Sequence, residues 1–310
     1  MRPCSVLCCL GDLVEDVTIY VHTPLAFGSD TAAIIIRRQG GSAANVAKHA
    51  ASLNTPTTFV GQVGSDNLGQ SLVDGLMAQG VTVWAPRRGR TGSIVVIVDR
   101  DGERSFLTDR GAASQLETVM AEWLTGVQCL HVPWYSLAAG PIAEATQSAI
   151  ETVRNAGAGV SIDVSSVALF PDVAEGRNRI ERLAPDIVFA NAAEAVHLNL
   201  LSEPLTACRL IVIKRGAESA VLLDRRGRMT HVDALSLTLS RLDTTGAGDA
   251  FAAGFLTATL CGESDIASAR AGHEAAHAHL TDQHLAFDNK IHRAVANASD
   301  PEQTETTAQF

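Results

Sequence analysis

The sequence predicts an α/β fold in which a mostly parallel central sheet is accompanied by a second, smaller set of strands. Three observations predict it. Short apolar segments alternate with Ala-rich helical segments along most of the chain, which is the pattern of βαβ units. Several strand segments are apolar throughout, as in sheets covered by helices on both faces. Two stretches, about 13–38 and 92–109, contain strand segments with no helix between them.

The elements of the main sheet follow from local composition. Segments rich in Val, Ile and Leu predict strands, and Ala-rich segments bounded by turn residues predict helices. The predicted strands are Ser5–Leu10, Thr57–Val63, Gln128–Val132, Gly159–Val164, Ile187–Ala190, Leu210–Lys214 and Ala220–Leu223. The predicted helices are Ser42–Leu53, Gly69–Gln79, Pro141–Asn155 and Gly248–Leu260. We expect one domain over residues 1–298.

The remaining strand segments predict a small antiparallel sheet beside the main one. They are Val17–Val21, Ala32–Arg38, Ser93–Asp99 and Glu103–Thr108. The dipeptide Asp101-Gly102 separates the last two, and Asp-Gly is a strong hairpin signal. Because these strands flank candidate site residues, we interpret the small sheet as a lid, with a plain surface hairpin as the alternative. Residues 299–310 are polar and predict a flexible tail.

Composition narrows the function classes. The formal net charge of -10 argues against nucleic acid as a partner, because phosphate backbones select basic surfaces. No apolar stretch approaches the roughly 20 residues that a membrane helix needs. The six cysteines include no C-x-x-C pair, and several lie in apolar runs, so we expect buried, reduced thiols and a cytoplasmic location.

The segment most informative about chemistry is Asp243–Phe251, which reads DTTGAGDAF and precedes an Ala- and Leu-rich helix. Gly246 and Gly248, separated by Ala247, let backbone N–H groups converge on an anion, and the helix start adds its positive dipole end. Asp249 places a carboxylate beside that anion site, where it could accept a proton from an attacking hydroxyl group. An ordinary strand–turn–helix connection is the structural alternative.

This nine-residue segment resembles a signature of the PfkB carbohydrate kinases, the ribokinase-like family that includes fructokinases and adenosine kinases. A second segment, GGSAAN at residues 40–45, resembles the family's other signature, a Gly-Gly loop that opens a helix against the substrate. Residues 11–16 are similar to the family's first-strand exit, and residues 191–194 to its N-x-x-E motif. The resemblance runs from about Ser5 to at least Ala278, in the family's order.

The resemblance implies a ribokinase-like three-layer α/β/α sandwich with a small β lid. It implies ATP-dependent phosphorylation of a hydroxyl group on a small sugar or nucleoside, with Asp249 as general base. The backbone of Gly246, Ala247 and Gly248 would stabilise the transferred phosphoryl group. It also implies the possibility of a homodimer formed through the lids. A sugar-binding regulator without activity is an alternative, against which the intact segment around Asp249 argues.

The resemblance also assigns the other site residues. Those expected to bind the substrate are Asp12, Asp16, Gly40, Gly41 and Asn45. Those expected to bind the nucleotide are Asn191, Glu194, Lys214, Gly216, Asp243 and Thr244. The expected cofactors are ATP and Mg²⁺, with Glu194 holding the Mg²⁺, partly through water. Arg110, which follows the predicted hairpin, is expected to meet a substrate carboxylate or phosphate, or else to be an ordinary solvated arginine.

The chain departs from the family pattern at positions that bear on the acceptor. Val14 and Ser42 stand where ribokinases place an Asn and a Lys, and residues 132–136 lack the ribose-contacting Glu. Ser219 replaces a Gly of the nucleotide turn. These changes argue against ribose and leave the phosphoryl-transfer residues in place. Residues 278–287 lack the Gly that is usual in the family's monovalent-cation loop, so dependence on a monovalent cation stays open.

A different function class is suggested by His273, Glu274 and His277, which match the H-E-x-x-H pattern of zinc peptidases. The two histidines would share one helix face, with the glutamate as base. The extended form of this pattern needs Gly at 280 and His at 283, where the chain has Leu280 and Gln283. We therefore expect the match to be accidental and the protein to be a kinase.

Overall fold

The described part of the chain covers most of its length. The structure is a computed structural model that describes residues 7–21, 23–101, 103–237 and 244–298, with side chains described through residue 284. The start of the predicted first strand, Gly102 of the predicted hairpin, Asp243 of the predicted nucleotide site and the predicted tail lie outside the described residues.

The described residues form strands and helices in the order that the sequence predicts. The strands are β1 (Leu7–Leu10), β2 (Val14–Val21), β3 (Ala33–Gly40), β4 (Thr57–Val60), β5 (Thr82–Trp84), β6 (Thr91–Val98), β7 (Arg104–Gly111), β8 (Cys129–Pro133), β9 (Gly159–Asp163), β10 (Ile187–Asn191), β11 (Leu210–Lys214), β12 (Ala220–Asp224) and β13 (Met229–Val232). The α-helices are α1 (Ser42–Ser52), α2 (Asn67–Ala78), α3 (Tyr135–Ala138), α4 (Pro141–Asn155), α5 (Val173–Leu183), α6 (Ala192–His197), α7 (Ala247–Leu260) and α8 (Asp265–Ala298).

The larger sheet has the strand order β13-β12-β11-β10-β9-β8-β1-β4-β5 within the described residues. The pairs from β11 to β5 are parallel, and β12 and β13 continue the sheet as an antiparallel edge. Strand order reverses at β1, which lies between β4 and β8. In open α/β sheets, ligands bind outside the carboxyl ends of the strands at such a switch point. The residues that follow β1 therefore lie where a site is expected.

Helices cover both faces of this sheet, because successive residues of each buried strand point in opposite directions. In β10, Val188 and Ala190 join one core cluster, which also contains residues of α3, α4, α5 and α6. Ile187 and Phe189 join the other, which contains residues of α1, α2, α7 and α8. The two clusters confirm the predicted three-layer α/β/α sandwich.

The smaller sheet has the order β3-β2-β6-β7. Its β2–β3 and β6–β7 pairs are antiparallel, as predicted. The prediction is wrong for β2 and β6, which run parallel because the chain passes through the main sheet between the two hairpins. The register pairs Asp16 with Arg38 and with Ile94, and Ile94 with Thr108. Because side chains alternate along a strand, Asp16, Arg38 and Arg110 belong to the same face of this sheet.

Several elements were not predicted, among them β5, β13, α3 and α5. Strands β5 and β13 are short and largely exposed, so neither has the apolar run that signals a buried strand. Helix α5 buries only Gly176 and Ile180, which leaves too narrow an apolar stripe to detect. No helix among the described residues is long and apolar enough to span a membrane.

Candidate active site

Asp249 is the third residue of α7 and is held by two side chains of α1. The Oγ of Ser42 donates to its Oδ1 over 2.7 Å, and the Nδ2 of Asn45 donates to its Oδ2 over 2.9 Å. Burial raises the pKa of Asp249 above its ordinary value, and these two hydrogen bonds act in the opposite direction. The carboxylate is therefore fixed in direction and more basic than an exposed aspartate.

The charges of Asp16, Lys48 and Asp249 act on one another. Burial and the charge of Asp249 raise the pKa of Asp16 to about 6, although Lys48 and Arg38 act to lower it. The pKa of Lys48 is lowered by burial, and both carboxylates oppose that shift. A Cβ at Gly40 would lie 2.2 Å from the carboxyl carbon of Asp16, so a side chain at position 40 would displace this carboxylate.

Asn45 has one unused polar atom in this region. Its Oδ1 is buried and has no hydrogen-bond partner among the described residues, while its Nδ2 is bonded to Asp249. A buried amide oxygen without a partner is costly unless a ligand satisfies it. Asn45 is thus suited to accept a hydrogen bond from a substrate hydroxyl group. Gly41 makes this approach possible, since its φ of 102° and its contact with the carbonyl of Asp12 exclude a side chain.

Asp12 and Arg110 pair with each other. The guanidinium donates from Nε to Oδ2 over 2.7 Å and from Nη2 to Oδ1 over 2.6 Å, a two-pronged geometry. Both side chains are mostly buried. Arg110 was expected to meet a substrate group or solvent. In this structure it instead joins the end of β7 to the loop that follows β1.

Lys214 and Asp163 form a buried ion pair at the carboxyl ends of two strands. The Nζ of Lys214 lies 2.6 Å from Oδ2 of Asp163. Burial acts to lower the pKa of Lys214, but the carboxylate of Asp163 outweighs it and raises that pKa. A Cβ at Gly248 would lie 3.3 Å from this Nζ, so the ammonium group lies beside the glycine turn at the start of α7. The Lys214 ammonium group, with Asp163 as its counter-ion, therefore lies beside the expected phosphate position.

Asn191 and Glu194 form a capping box at the start of α6. The Oδ1 of Asn191 accepts from the backbone N of Glu194 over 2.9 Å. The carboxylate of Glu194 accepts from the backbone N of Asn191 over 2.8 Å and from its Nδ2 over 2.7 Å. Burial and the nearby charge of Asp163 raise the pKa of Glu194 to about 7. Two buried carboxylates near each other are a setting in which a cation would be stabilised.

One cavity of about 550 Å³ brings together the predicted nucleotide-binding residues and Asp249. The polar side chains and turn residues that line it include Ser42, Asp163, Asn191, Glu194, Lys214, Gly216, Thr244, Gly246, Ala247, Gly248 and Asp249. Its apolar lining includes Ala234, Leu235, Leu237, Phe251, Ala276 and Leu280. The lining does not include Asp12, Asp16, Asn45, Lys48 or Arg110. A lining with both charged and apolar groups suits a ligand that joins phosphates to a flat base.

The glycine turn itself closes on Thr244. Gly246 has a φ of 80° and caps α7, and the amide of Ala247 donates to the carbonyl oxygen of Thr244 over 3.2 Å. The left-handed φ explains the glycine at 246, because side-chain-bearing residues rarely adopt it. The turn brings the amide end of α7 to the cavity.

The histidines of the zinc pattern have another environment. The Nε2 of His273 lies 3.1 Å from the carbonyl oxygen of Val232, and its ring packs edge-on against Phe251. A carbonyl accepts only, so this Nε2 carries a proton and has no lone pair for a metal. Glu274 is exposed to solvent. Within the described residues, no group of three or more His, Cys, Asp or Glu side chains could hold a metal.

Comparison with known proteins decides the family. Residues 6–291 match the family described as pfkB family carbohydrate kinase. The chain belongs to the pfkB family of carbohydrate kinases. It is a phosphotransferase with an alcohol group as acceptor, a sugar or nucleoside kinase, and ATP binding is implied by the family. The zinc peptidase alternative is thereby replaced.

Individual pfkB relatives differ in what they are named for. The chain is 29% identical to a fructokinase of Salmonella typhimurium, over 72% of this chain and 77% of that protein. The adenosine kinase structure from Sinorhizobium meliloti has a TM-score of 0.78 at 24% identity, covering 88% of this chain and 93% of that one. The structure of Arabidopsis thaliana ribokinase, in complex with ribose and ATP, has a TM-score of 0.73 at 22% identity, covering 89% of this chain and 92% of that one. These two structures show the ribokinase-like fold.

Sequence reasoning about this pfkB kinase missed three residues. Ser42 was noted only as the absence of a lysine, yet it bonds Asp249. Asp163 was not singled out, although it ends an apolar strand in the same way as Lys214, and that shared position was a usable signal. Lys48 follows Asn45 by one helical turn, but a lysine at that spacing has no distinguishing mark in a sequence.

Proposed function

We propose that the protein transfers the γ-phosphoryl group of ATP to a hydroxyl group of a small sugar or nucleoside, with Asp249 as general base. The observation that carries this proposal is the pair of hydrogen bonds by which Ser42 and Asn45 direct the Asp249 carboxylate at the start of α7. The acceptor hydroxyl would lie among Asp16, Asn45 and Asp249. Its proton passes to Asp249 as its oxygen attacks the γ-phosphorus, while the bond from that phosphorus to the β,γ-bridging oxygen breaks and ADP leaves.

The nucleotide would occupy the 550 Å³ cavity, with its base against the apolar lining residues. Its phosphates would lie at the glycine turn, where Lys214 supplies a positive charge and Gly246, Ala247 and Gly248 supply backbone N–H groups. Lys214 is paired with Asp163, and this pair holds the ammonium group in place. Gly216, at a φ of 62°, would let the turn after β11 pass close to the nucleotide.

The residues at β9 and β10 fit Mg²⁺, which prefers oxygen ligands and keeps several waters. Asp163, Asn191 and Glu194 provide the oxygens. Burial first, and then repulsion from Asp163, raise the pKa of Glu194, and a cation would relieve that repulsion. Both Glu194 oxygens already accept hydrogen bonds, which favours contact through water over direct ligation. When bound, the ion neutralises phosphate charge. Whether a monovalent cation also assists stays a prediction to test by titrating KCl.

The identity of the acceptor can be narrowed by experiment. The related proteins are named for fructose, adenosine and ribose phosphorylation, so resemblance alone does not choose. A coupled assay of ADP release over pentoses, hexoses, sugar acids and nucleosides tests the proposed function directly. We expect ATP-dependent turnover with at least one of them. Turnover of none, by protein that binds ATP, would contradict the proposal.

We further propose that the smaller sheet is a lid and that two lids meet in a homodimer. Ile34, Ile35, Phe106 and Leu107 expose between 46% and 61% of their surface on it. Strands β3 and β7 are also free sheet edges in the described chain. Apolar edge strands are prone to pair with another chain. Light scattering of wild type and of Phe106→Glu would test this, with a monomer expected for the variant. The cytoplasmic location stays a prediction.

A further inference from the structure

Thr245, the residue just before the glycine turn, is hydrogen-bonded by side chains from two distant parts of the chain. The Nη1 of Arg104, at the start of lid strand β7, donates to its Oγ1 over 2.9 Å. On α8, the Nε2 of Gln283 donates to its carbonyl oxygen over 2.9 Å, and the Nε2 of His279 lies 2.9 Å from the same oxygen. Gln283 and His279 are one helical turn apart and share a face of α8.

Gln283 donates to Thr245 whichever nitrogen of His279 carries the proton. The Nε2 of Gln283 lies 2.9 Å from the carbonyl oxygen of Thr245 and 2.7 Å from the Nε2 of His279. A carbonyl oxygen can accept two hydrogen bonds, so with the His279 proton on Nε2 it accepts from both side chains. With the proton on Nδ1, the second amide hydrogen of Gln283 is donated to the Nε2 of His279. In both tautomers Gln283 is a donor to the carbonyl of Thr245.

His279 is itself fixed from a third side. Its ring meets that of His49 edge-on, with centroids 4.7 Å apart and planes at 83°. Burial lowers the pKa of His49 to about 3, so His49 is neutral at physiological pH. A Cβ at Gly246 would lie 3.1 Å from the Nε2 of His279, which means that this imidazole rests directly against the glycine turn. His49 on α1 thus helps to hold His279 of α8 against the glycine turn.

These contacts matter because the glycine turn is conformationally flexible by itself. Gly246 has the wide torsional freedom of glycine, and the amides at the start of α7 must meet the transferred phosphoryl group within a fraction of an ångström. A misplacement of about 1 Å in such a site costs on the order of 10²-fold in rate. Bonds to both the carbonyl and the hydroxyl of Thr245 remove that freedom.

We propose that Gln283, with His279, is a positioning residue that aligns the glycine turn with Asp249. We also propose that Arg104 fastens the same threonine to the lid, so that lid closure and turn alignment are coupled. Both statements rest on the proposed function. The coupling would make phosphoryl transfer efficient only when the lid covers the site, which limits hydrolysis of ATP by water.

The test uses Gln283→Glu in the full chain, because glutamate has the same shape but, when ionised, no hydrogen to donate. Gln147→Glu, the same change on the exposed side of α4, is the matched control. We expect kcat of Gln283→Glu to fall roughly 10- to 100-fold, with KM for ATP and acceptor and the melting temperature nearly unchanged. Gln147→Glu should match wild type. An unchanged kcat, or a fall in kcat matched by a rise in KM and lost stability, would overturn the proposal.

The lid coupling is tested by a double-mutant cycle on kcat with Arg104→Gln and Gln283→Glu. Since both act through Thr245, the double variant should lose less than the product of the single losses. Strictly multiplicative losses would refute the coupling. If Gln283→Glu does not fold, Gln283→Met takes its place, with the same expectations.

A measurement without turnover separates this inference from the proposed function. Hydrogen–deuterium exchange of the peptide that contains residues 244–249 should be faster in Gln283→Glu than in wild type and in Gln147→Glu. Equal exchange in all three proteins would overturn the positioning role even if the wild-type enzyme is active. Faster exchange in Gln283→Glu, together with a wild-type protein that phosphorylates no acceptor, would support the positioning role and reject the proposed reaction.

Discussion

The Oγ of Ser42 donates a 2.7 Å hydrogen bond to Oδ1 of Asp249, joining the first residue of α1 to the third residue of α7 across 207 positions of sequence. Ser42 stands where ribokinases carry a lysine. The exchange places a neutral donor, rather than a second positive charge, against the proposed base. A neutral donor lowers the pKa of a carboxylate less than an ammonium group does, so Asp249 keeps its basicity.

Asp249→Asn tests the proposed base. The amide keeps the shape and some hydrogen bonding but takes up no proton, so we expect kcat to fall roughly 10²–10⁴-fold while KM changes little. Calorimetric binding of ATP and of the acceptor, measured beside turnover, should resemble wild type. Asp282→Asn, an exposed site on α8, is the control. Near wild-type turnover by a variant that binds both ligands would show that Asp249 is not the base.

Ribose should not be the best acceptor. Val14 is fully buried, and Ser42 is committed to Asp249, so neither offers the polar partner that ribokinases present at these positions. A sugar hydroxyl buried without a partner costs binding energy, and the enzyme should discriminate against the sugar that needs it. In the acceptor panel, ribose should give a kcat/KM at least tenfold below the highest value. A first rank for ribose would contradict this inference from two positions.

Glu194 should make stability depend on pH. Its pKa is about 7 in the folded protein and ordinary in the unfolded chain, so the folded state binds the additional proton between those values. The free energy of unfolding therefore falls as pH rises from about 4.5 to 7, by about 1–3 kcal/mol from this residue. Glu194→Gln removes the titratable carboxyl group. In urea unfolding without nucleotide or Mg²⁺, its free energy of unfolding should therefore fall less steeply with pH than that of wild type. The control Glu144→Gln, at an exposed position, should show the wild-type dependence of unfolding free energy on pH. The same dependence in Glu194→Gln would contradict the prediction.

His273 should stabilise the fold and should not bind a metal ion. Its ring is buried against Phe251, and its Nε2 bonds the carbonyl of Val232. His273→Ala should therefore lower the free energy of unfolding by about 1–3 kcal/mol, the cost of leaving a buried carbonyl unpaired and a void behind. Elemental analysis of the wild-type protein should find far less than one zinc per chain. One tightly bound zinc, lost on this substitution, would contradict the expectation.

Much of the architecture could be predicted because its signals are local. Apolar runs mark the strands of the main sheet, and the small sheet is marked by strands without intervening helices. Short or polar elements such as β5, β13 and α5 could not be predicted, since their conformation depends on neighbours distant in sequence rather than on an apolar pattern of their own.

The sequence by itself determined the family, the reaction class and the motif around Asp249, because these depend on residue types at short, fixed spacings. Only the tertiary structure decided which side chains meet. Asp12 and Arg110 are 98 positions apart, and Lys214 and Asp163 are 51 apart. Contacts of this kind arise when parallel strands bring their carboxyl ends to one edge and a separate sheet folds over it. No spacing along the chain encodes them, because loop lengths between the elements vary freely while the packed geometry does not.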